Sequence, residues 1–175
     1  MNPQLRQDLV SGDWIAIVPG RAHSHLRGLP RKPRKAAALR TCPFEHPQKS
    51  GHGEPILTYR DSDDWTLQII PNKYPAFTHQ KKCVPISHNG PYAVTETAGH
   101  HDLIVTRDHT RNFPKLTAAV ATQIFQAFQE RYQMFLNDQC LAYASFFHNW
   151  GVTAGASIYH PHYQTLALPV VPPDV

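Results

Sequence analysis

The chain has 175 residues, 41% of them hydrophobic and 17% charged, which suits one globular domain and excludes wholesale disorder. Its formal net charge is +4 with the 12 histidines neutral, and eight of the 17 basic residues but two of the 13 acidic ones fall in residues 1–40. The basicity is therefore an N-terminal feature, no run approaches the roughly 20 apolar residues of a membrane span, and the start lacks a signal-peptide apolar stretch, so a cytoplasmic protein with no membrane partner is expected.

Cys42, Cys83 and Cys140 are odd in number and scattered, which argues against a disulfide framework and for a reducing compartment. The 16 prolines fall mostly between apolar runs and predict short elements joined by rigid turns. In chain order, the first strand is expected at 14–18, entered from Ser11-Gly12-Asp13 and closed by Pro19-Gly20. Residues 21–40 carry Arg27, Arg31, Lys32, Arg34 and Lys35 with almost nothing apolar and read as an extended basic arm. That arm holds no Phe, Tyr or Trp to interleave with its cations, so nucleic acid is not expected as a partner. Strands are expected at 65–70 and 101–106.

The clearest helix spans 117–136, where Val120, Ile124, Phe128 and Phe135, with Ala121, Phe125 and Tyr132 beside them, recur at i+3/i+4 spacing after the capping residue Thr117. A buried strand is expected at 141–147 and another at 159–168. Several strands before one long helix and two after it point to an α+β fold with a mainly antiparallel sheet.

The most informative stretch is Asn149-x-Gly151-x-x-x-Gly155-x-Ser157-x-x-His160-Pro161-His162-x-Gln164. If the last strand is extended from 159, His160, His162 and Gln164 project from one face, because side chains alternate along a strand. They follow a turn of small residues that lets backbone N–H groups approach an anion. Pro161 is expected at a sheet edge or near the strand's own start. A His-x-His pair alone is as readily a metal-binding or simply exposed pair, and Asn72 and Asn149 alone read as turn-forming asparagines.

The whole string is similar to the active-site signature of galactose-1-phosphate uridylyltransferases, a branch of the histidine-triad superfamily. Asp13-Trp14, Pro19-Gly20-Arg21-Ala22, Cys42-Pro43-Phe44, Asn72-Lys73-Tyr74-Pro75-Ala76, Gly99-His100-His101-Asp102-Leu103 and Asp108-His109 agree in order, over roughly residues 5–173. The resemblance implies a histidine-triad-like fold, one domain over 1–175 corresponding to the first half of a two-half enzyme, and the basic arm at 21–40.

It also implies roles. His162 would attack the α-phosphorus of a nucleotide sugar and become a uridylyl-histidine. Gln164 would donate hydrogen bonds to a phosphoryl oxygen without delivering a proton, which suits transfer over hydrolysis. Arg21, Ala22, Asn72, Asn149, Gly155, Ala156 and Ser157 would contact the substrate. A structural Zn2+ would be held by Cys42, Glu45, His109 and His160, with Glu45 standing where the family has a second cysteine and His46 competing for that place.

The implied reaction moves UMP from UDP-glucose to a hexose 1-phosphate such as galactose 1-phosphate. Two alternatives stay open: a nucleoside diphosphate sugar phosphorylase transferring AMP to phosphate, and a catalytically incomplete nucleotide-binding half-domain. Whether a homodimer completes the site is also left open by the resemblance.

Overall fold

The computed structural model describes residues 2–21, 38–151 and 153–175, with the backbone alone at residue 21. Ala22 and most of the basic arm lie outside the described residues. Among the described residues nine strands and one long helix form: β1 (Gln4–Gln7), β2 (Trp14–Ile17), β3 (Leu57–Asp61), β4 (Asp64–Pro71), β5 (Ser87–Asn89), β6 (Tyr92–Glu96), β7 (His100–Thr106), α1 (Ala118–Phe135), β8 (Tyr143–Phe147) and β9 (His162–Leu168). The expected α+β class with antiparallel pairing and one long helix holds. The strands divide into two sheets, of order β2-β1-β6-β5 and β3-β4-β7-β9-β8.

The strands that sequence reading misses, β1, β3, β5 and β6, are short and polar, three to five residues each. Such short strands carry little hydrophobic alternation of their own; β3 and β5 are sheet edges, and β1 and β6 pair with each other at the centre of the smaller sheet.

The five-stranded sheet has two covered faces, which explains the unbroken apolar character of its centre. On one face Leu67, Ile69, Ile104 and Tyr163 pack with Ile124 and Ala127 of α1. On the other, Ile70, Leu103 and Val105 pack with Cys42 and Phe44 of the preceding loop. Because β7 and β9 pair with Val105 opposite His162, Leu103 opposite Gln164 and His101 opposite Leu166, these six residues share that second face. Gly99 sets the approach at the start of β7. Its φ is +144°, and a Cβ there would lie 2.0 Å from the Ala167 carbonyl oxygen, so no larger residue fits without moving β9.

Four expectations are corrected. The last strand starts at His162 rather than 159, because Pro161 has no N–H to give the ladder. The 141–147 segment is an edge strand, half-buried throughout from Tyr143, rather than a buried one. The inner face of α1 is Ile124, Ala127, Arg131 and Phe135, while Phe125 and Tyr132 are exposed. The chain therefore turns a charged residue into its core, and Arg131 is accommodated by Asp102 of β7, Nε to Oδ2 at 2.8 Å.

The fourth concerns the cysteines. Cys83 and Cys140 form a disulfide with their Cα atoms 4.9 Å apart, and Cys42 is buried as a thiol. The loop before β5 and the turn after α1 are 57 residues apart in sequence and meet only in the folded chain. No helix among the described residues is long and apolar enough to cross a membrane.

Candidate active site and metal cluster

The second face of the sheet opens into a cavity of about 520 Å³. Of the residues expected at the site, it is lined by Asn72, Asn149, Gly155, Ala156, Ser157, His162 and Gln164. The Gly155 turn has φ +72° and open space where a Cβ would stand, so the backbone there is accessible from the cavity. Arg21 closes the short turn Pro19–Arg21, and its side chain, like Ala22, lies outside what is described.

His162 is 7% exposed and its ring orientation is fixed. Its Nδ1 lies 2.9 Å from the His160 carbonyl oxygen, which can only accept, so Nδ1 carries the proton and Nε2 keeps its lone pair. Phe44 packs against the ring with centroids 5.0 Å apart. Burial pushes the His162 pKa down to about 4, helped by the neighbouring histidines and opposed by the bond to the His160 carbonyl. The ring is thus neutral and oriented at pH 7, with an Nε2 lone pair that can act as an acceptor, a base or a nucleophile.

Three lining residues were not picked out from the sequence. Lys73, whose Nζ donates to the Ser50 carbonyl at 3.1 Å, is the only fully charged side chain among the described lining residues, and its charge would favour an anion in the cavity. His52 donates from Nδ1 to the Pro71 carbonyl at 3.3 Å. His101 accepts the Ala76 N–H at Nδ1, 3.0 Å, and meets Gln164 Oε1 at 3.0 Å and Asn72 Nδ2 at 2.9 Å through Nε2. They come from separate loops and strands, so no local spacing joins them. The Lys73 and His101 segments are quoted above for their resemblance alone.

His160, expected beside His162 in the cavity, is fully buried and turned away from it. It joins Cys42, Glu45 and His109, whose candidate ligand atoms all lie within 4.8 Å of one another. His160 Nε2 donates to the Thr106 carbonyl at 2.7 Å, which leaves the Nδ1 lone pair facing Glu45 Oε1 at 3.3 Å and Cys42 Sγ at 3.5 Å. A ring lone pair facing a carboxylate oxygen in a buried cluster fits a cation between them, and a carbonyl behind the ring is the usual support of a ligand histidine. Arg107 holds the other carboxylate oxygen of Glu45 at 3.5 Å and keeps Oε1 inward. His46 is exposed and outside the cluster. Burial pushes the Cys42 thiol up, so a metal is what would draw a thiolate from it.

A second group, His79, His100 and Asp138, has a different chemistry. Arg131 Nη2 donates to His100 Nδ1 at 3.2 Å, so the His100 proton sits on Nε2 and points at Asp138 Oδ2, 3.4 Å away. That nitrogen has no lone pair to offer a cation.

The sequence profile of the galactose-1-phosphate uridyl transferase N-terminal domain matches residues 3–172. The chain belongs to the galactose-1-phosphate uridyl transferase family. This family member is 28% identical over 178 residues to the ADP-glucose phosphorylase of Arabidopsis thaliana, covering 99% of this chain and 51% of that protein. It is 26% identical over 111 residues to the galactose-1-phosphate uridylyltransferase of Thermotoga maritima, covering 63% of this chain and 35% of the other.

Among solved structures, the crystal structure of an ADP-glucose phosphorylase from Arabidopsis thaliana with bound ADP-glucose matches at TM-score 0.63 and 26% identity, over 100% of this chain and 51% of that one. A uridylyltransferase structure matches at TM-score 0.66 and 26% identity, over 98% of this chain and 47% of the other. The chain thus spans about half the length of the first relative and 35% of the second.

Proposed function

We propose that this family member is a nucleotidyltransferase that moves a nucleoside monophosphate from a nucleotide sugar through a covalent intermediate on His162. The observation that carries the reading is the pinned ring, with Nδ1–H on the His160 carbonyl and Nε2 free at a cavity lined by Lys73 and the Gly155-Ala156-Ser157 turn. Nε2 attacks the α-phosphorus, a P–N bond forms, and the P–O bond to the sugar phosphate breaks with its electron pair leaving on that phosphate. The sugar phosphate departs as a stable anion and needs no proton, so the Gln164 amide, which donates hydrogen bonds but no proton, suffices there. A second nucleophile then takes the nucleotide from the imidazole. Asn72 and Asn149 contribute amides to the same cavity, and Arg21 and Ala22 are assigned to substrate binding on the resemblance alone.

The preferred donor is UDP-glucose and the preferred acceptor a hexose 1-phosphate such as galactose 1-phosphate. A second reading, ADP-glucose with inorganic phosphate as acceptor, is favoured by the fuller coverage of the Arabidopsis phosphorylase. Cys42, Glu45, His109 and His160 are assigned to a Zn2+ ion. When bound there it would fix the segment leading into β9 and supply no Lewis acid to the reaction, since His160 faces away from the cavity.

Intact-mass measurement at neutral pH after incubation with UDP-glucose or ADP-glucose tests the reading. Wild type is expected to gain one nucleoside monophosphate and His162→Ala none. A UMP adduct supports the uridylyl reading, and an AMP adduct the phosphorylase. Folded protein left unmodified by both donors overturns transfer and leaves the nucleotide-binding half-domain.

A further inference from the structure

We propose that His101 is the positioning residue that sets the Gln164 amide with its NH2 toward the phosphoryl group. This rests on the nucleotidyl-transfer reading and deepens it. Gln164 can help a phosphoryl oxygen only if its nitrogen, rather than its oxygen, faces that oxygen, and an amide by itself has no preference between the two orientations. Something must break the symmetry.

A backbone N–H group does so through His101. The Ala76 N–H donates to His101 Nδ1 at 3.0 Å, so Nδ1 is an acceptor and the neutral ring carries its proton on Nε2. The Tyr74 N–H donates to Asn72 Oδ1 at 3.0 Å, so the Asn72 NH2 stands 2.9 Å from His101 Nε2 and, with Nε2 protonated, makes no hydrogen bond to it. Gln164 Oε1 is the acceptor that the His101 Nε2–H reaches, at 3.0 Å. Turning the amide over would set the Gln164 NH2 against that N–H, two donors without an acceptor, at the cost of a hydrogen bond. The Gln164 NH2 is thereby left to the cavity that both residues line.

The arrangement is a cross-strand device. His101 pairs with Leu166 in the ladder and Gln164 is its diagonal neighbour, within reach of a long side chain. The Ala76 donor belongs to the turn that follows Asn72, so the loop carrying Lys73 also fixes the tautomer of His101.

The two nitrogens can be tested separately. Asn places its amide oxygen where His Nδ1 stands and keeps the Ala76 contact but cannot reach Gln164. Gln places its amide nitrogen where Nε2 stands and reaches Gln164 but gives up Ala76. We expect His101→Asn to slow nucleotidyl-His162 formation by about 10- to 100-fold with nucleotide-sugar Kd changed less than about threefold, as for loss of a donor used in the transition state. His101→Gln should restore most of that rate. In a Gln164→Ala background His101→Asn should have no further effect. Long-range 1H–15N spectra of 15N-histidine-labelled protein should show His101 protonated at Nε2 only.

If wild type forms the adduct and His101→Asn forms it as fast, or if Asn preserves the rate and Gln loses it, the positioning role is overturned while the transfer reading stands. A spectrum with the proton on Nδ1 overturns it without any turnover being needed. Wild type unmodified by either nucleotide sugar fails the transfer reading first and this role with it. Melting curves on each variant separate loss of fold from loss of rate.

Discussion

A single residue type decides the chemistry of each cluster. At His162 the carbonyl of His160 removes the choice of tautomer, and at His160 the carbonyl of Thr106 does the same with the opposite nitrogen. Two histidines two residues apart are thus set up for different work, one with Nε2 free and one with Nδ1 free. Glu45 is the residue that most distinguishes the candidate metal cluster, because a carboxylate oxygen stands where the family resemblance places a thiolate. Glu45→Ala should weaken Zn2+ retention by about 10- to 100-fold, and Glu45→Cys should strengthen it, read by chelator competition with metal content measured by mass spectrometry. Equal retention in all three proteins would show that Glu45 is no ligand.

At the scale of elements, the packing of α1 on the sheet depends on one buried ion pair. Arg131 Nε and Asp102 Oδ2 lie 2.8 Å apart with side chains 9% and 6% exposed, and the guanidinium carbon stands 4.2 Å from the Phe135 ring centroid. Removing one partner strands the other charge in the core, so Arg131→Ala should cost about 3–5 kcal/mol in urea unfolding. A loss below about 1 kcal/mol would mean water reaches Asp102.

The β7–β9 approach at Gly99 is the second such dependence. Gly99→Ala puts a methyl group into the Ala167 carbonyl, and its melting temperature should fall by several degrees or more, whereas alanine at the open Gly20 should be neutral. The periodicity of α1 was legible in the sequence as a helix with Thr117 at its cap. Its inner stripe was legible too, since Ile124 and Phe135 are buried and Val120 and Phe128 pack against the core; what the pattern missed is Arg131, which scores as polar until Asp102 is known to be opposite it.

For the whole molecule, two couplings set stability. The Cys83–Cys140 disulfide closes a 57-residue separation, for which chain-entropy reasoning gives about 4 kcal/mol. Reductant, or Cys83→Ser, should lower the urea midpoint accordingly, and an unchanged midpoint would show that the bond constrains nothing.

Acid is the other coupling. Burial lowers the pKa of His52, His100 and His148 below 6.5, so between their folded values and 6.5 the unfolded chain binds more protons. Their contribution is present above pH 6.5 and is lost as pH falls below it. The urea midpoint should therefore drop between pH 7 and pH 5, and substituting His148 with a neutral residue of similar shape should shrink that drop.

By itself the sequence determined what local pattern can encode: the α+β class, the long helix, the strands of the sheet's centre and the signature string from Asn149 to Gln164. Those features repeat every two residues or every three to four, or stand side by side in the chain. Tertiary structure alone decided that His160 and His162 part company, that Cys83 finds Cys140, and that His101 meets Gln164 and Asn72. Each of these joins residues distant along the chain, or turns on where Pro161 lets the ladder begin. Neither can be read before the strands are paired, because cross-strand register, and not spacing, places such groups within hydrogen-bond reach.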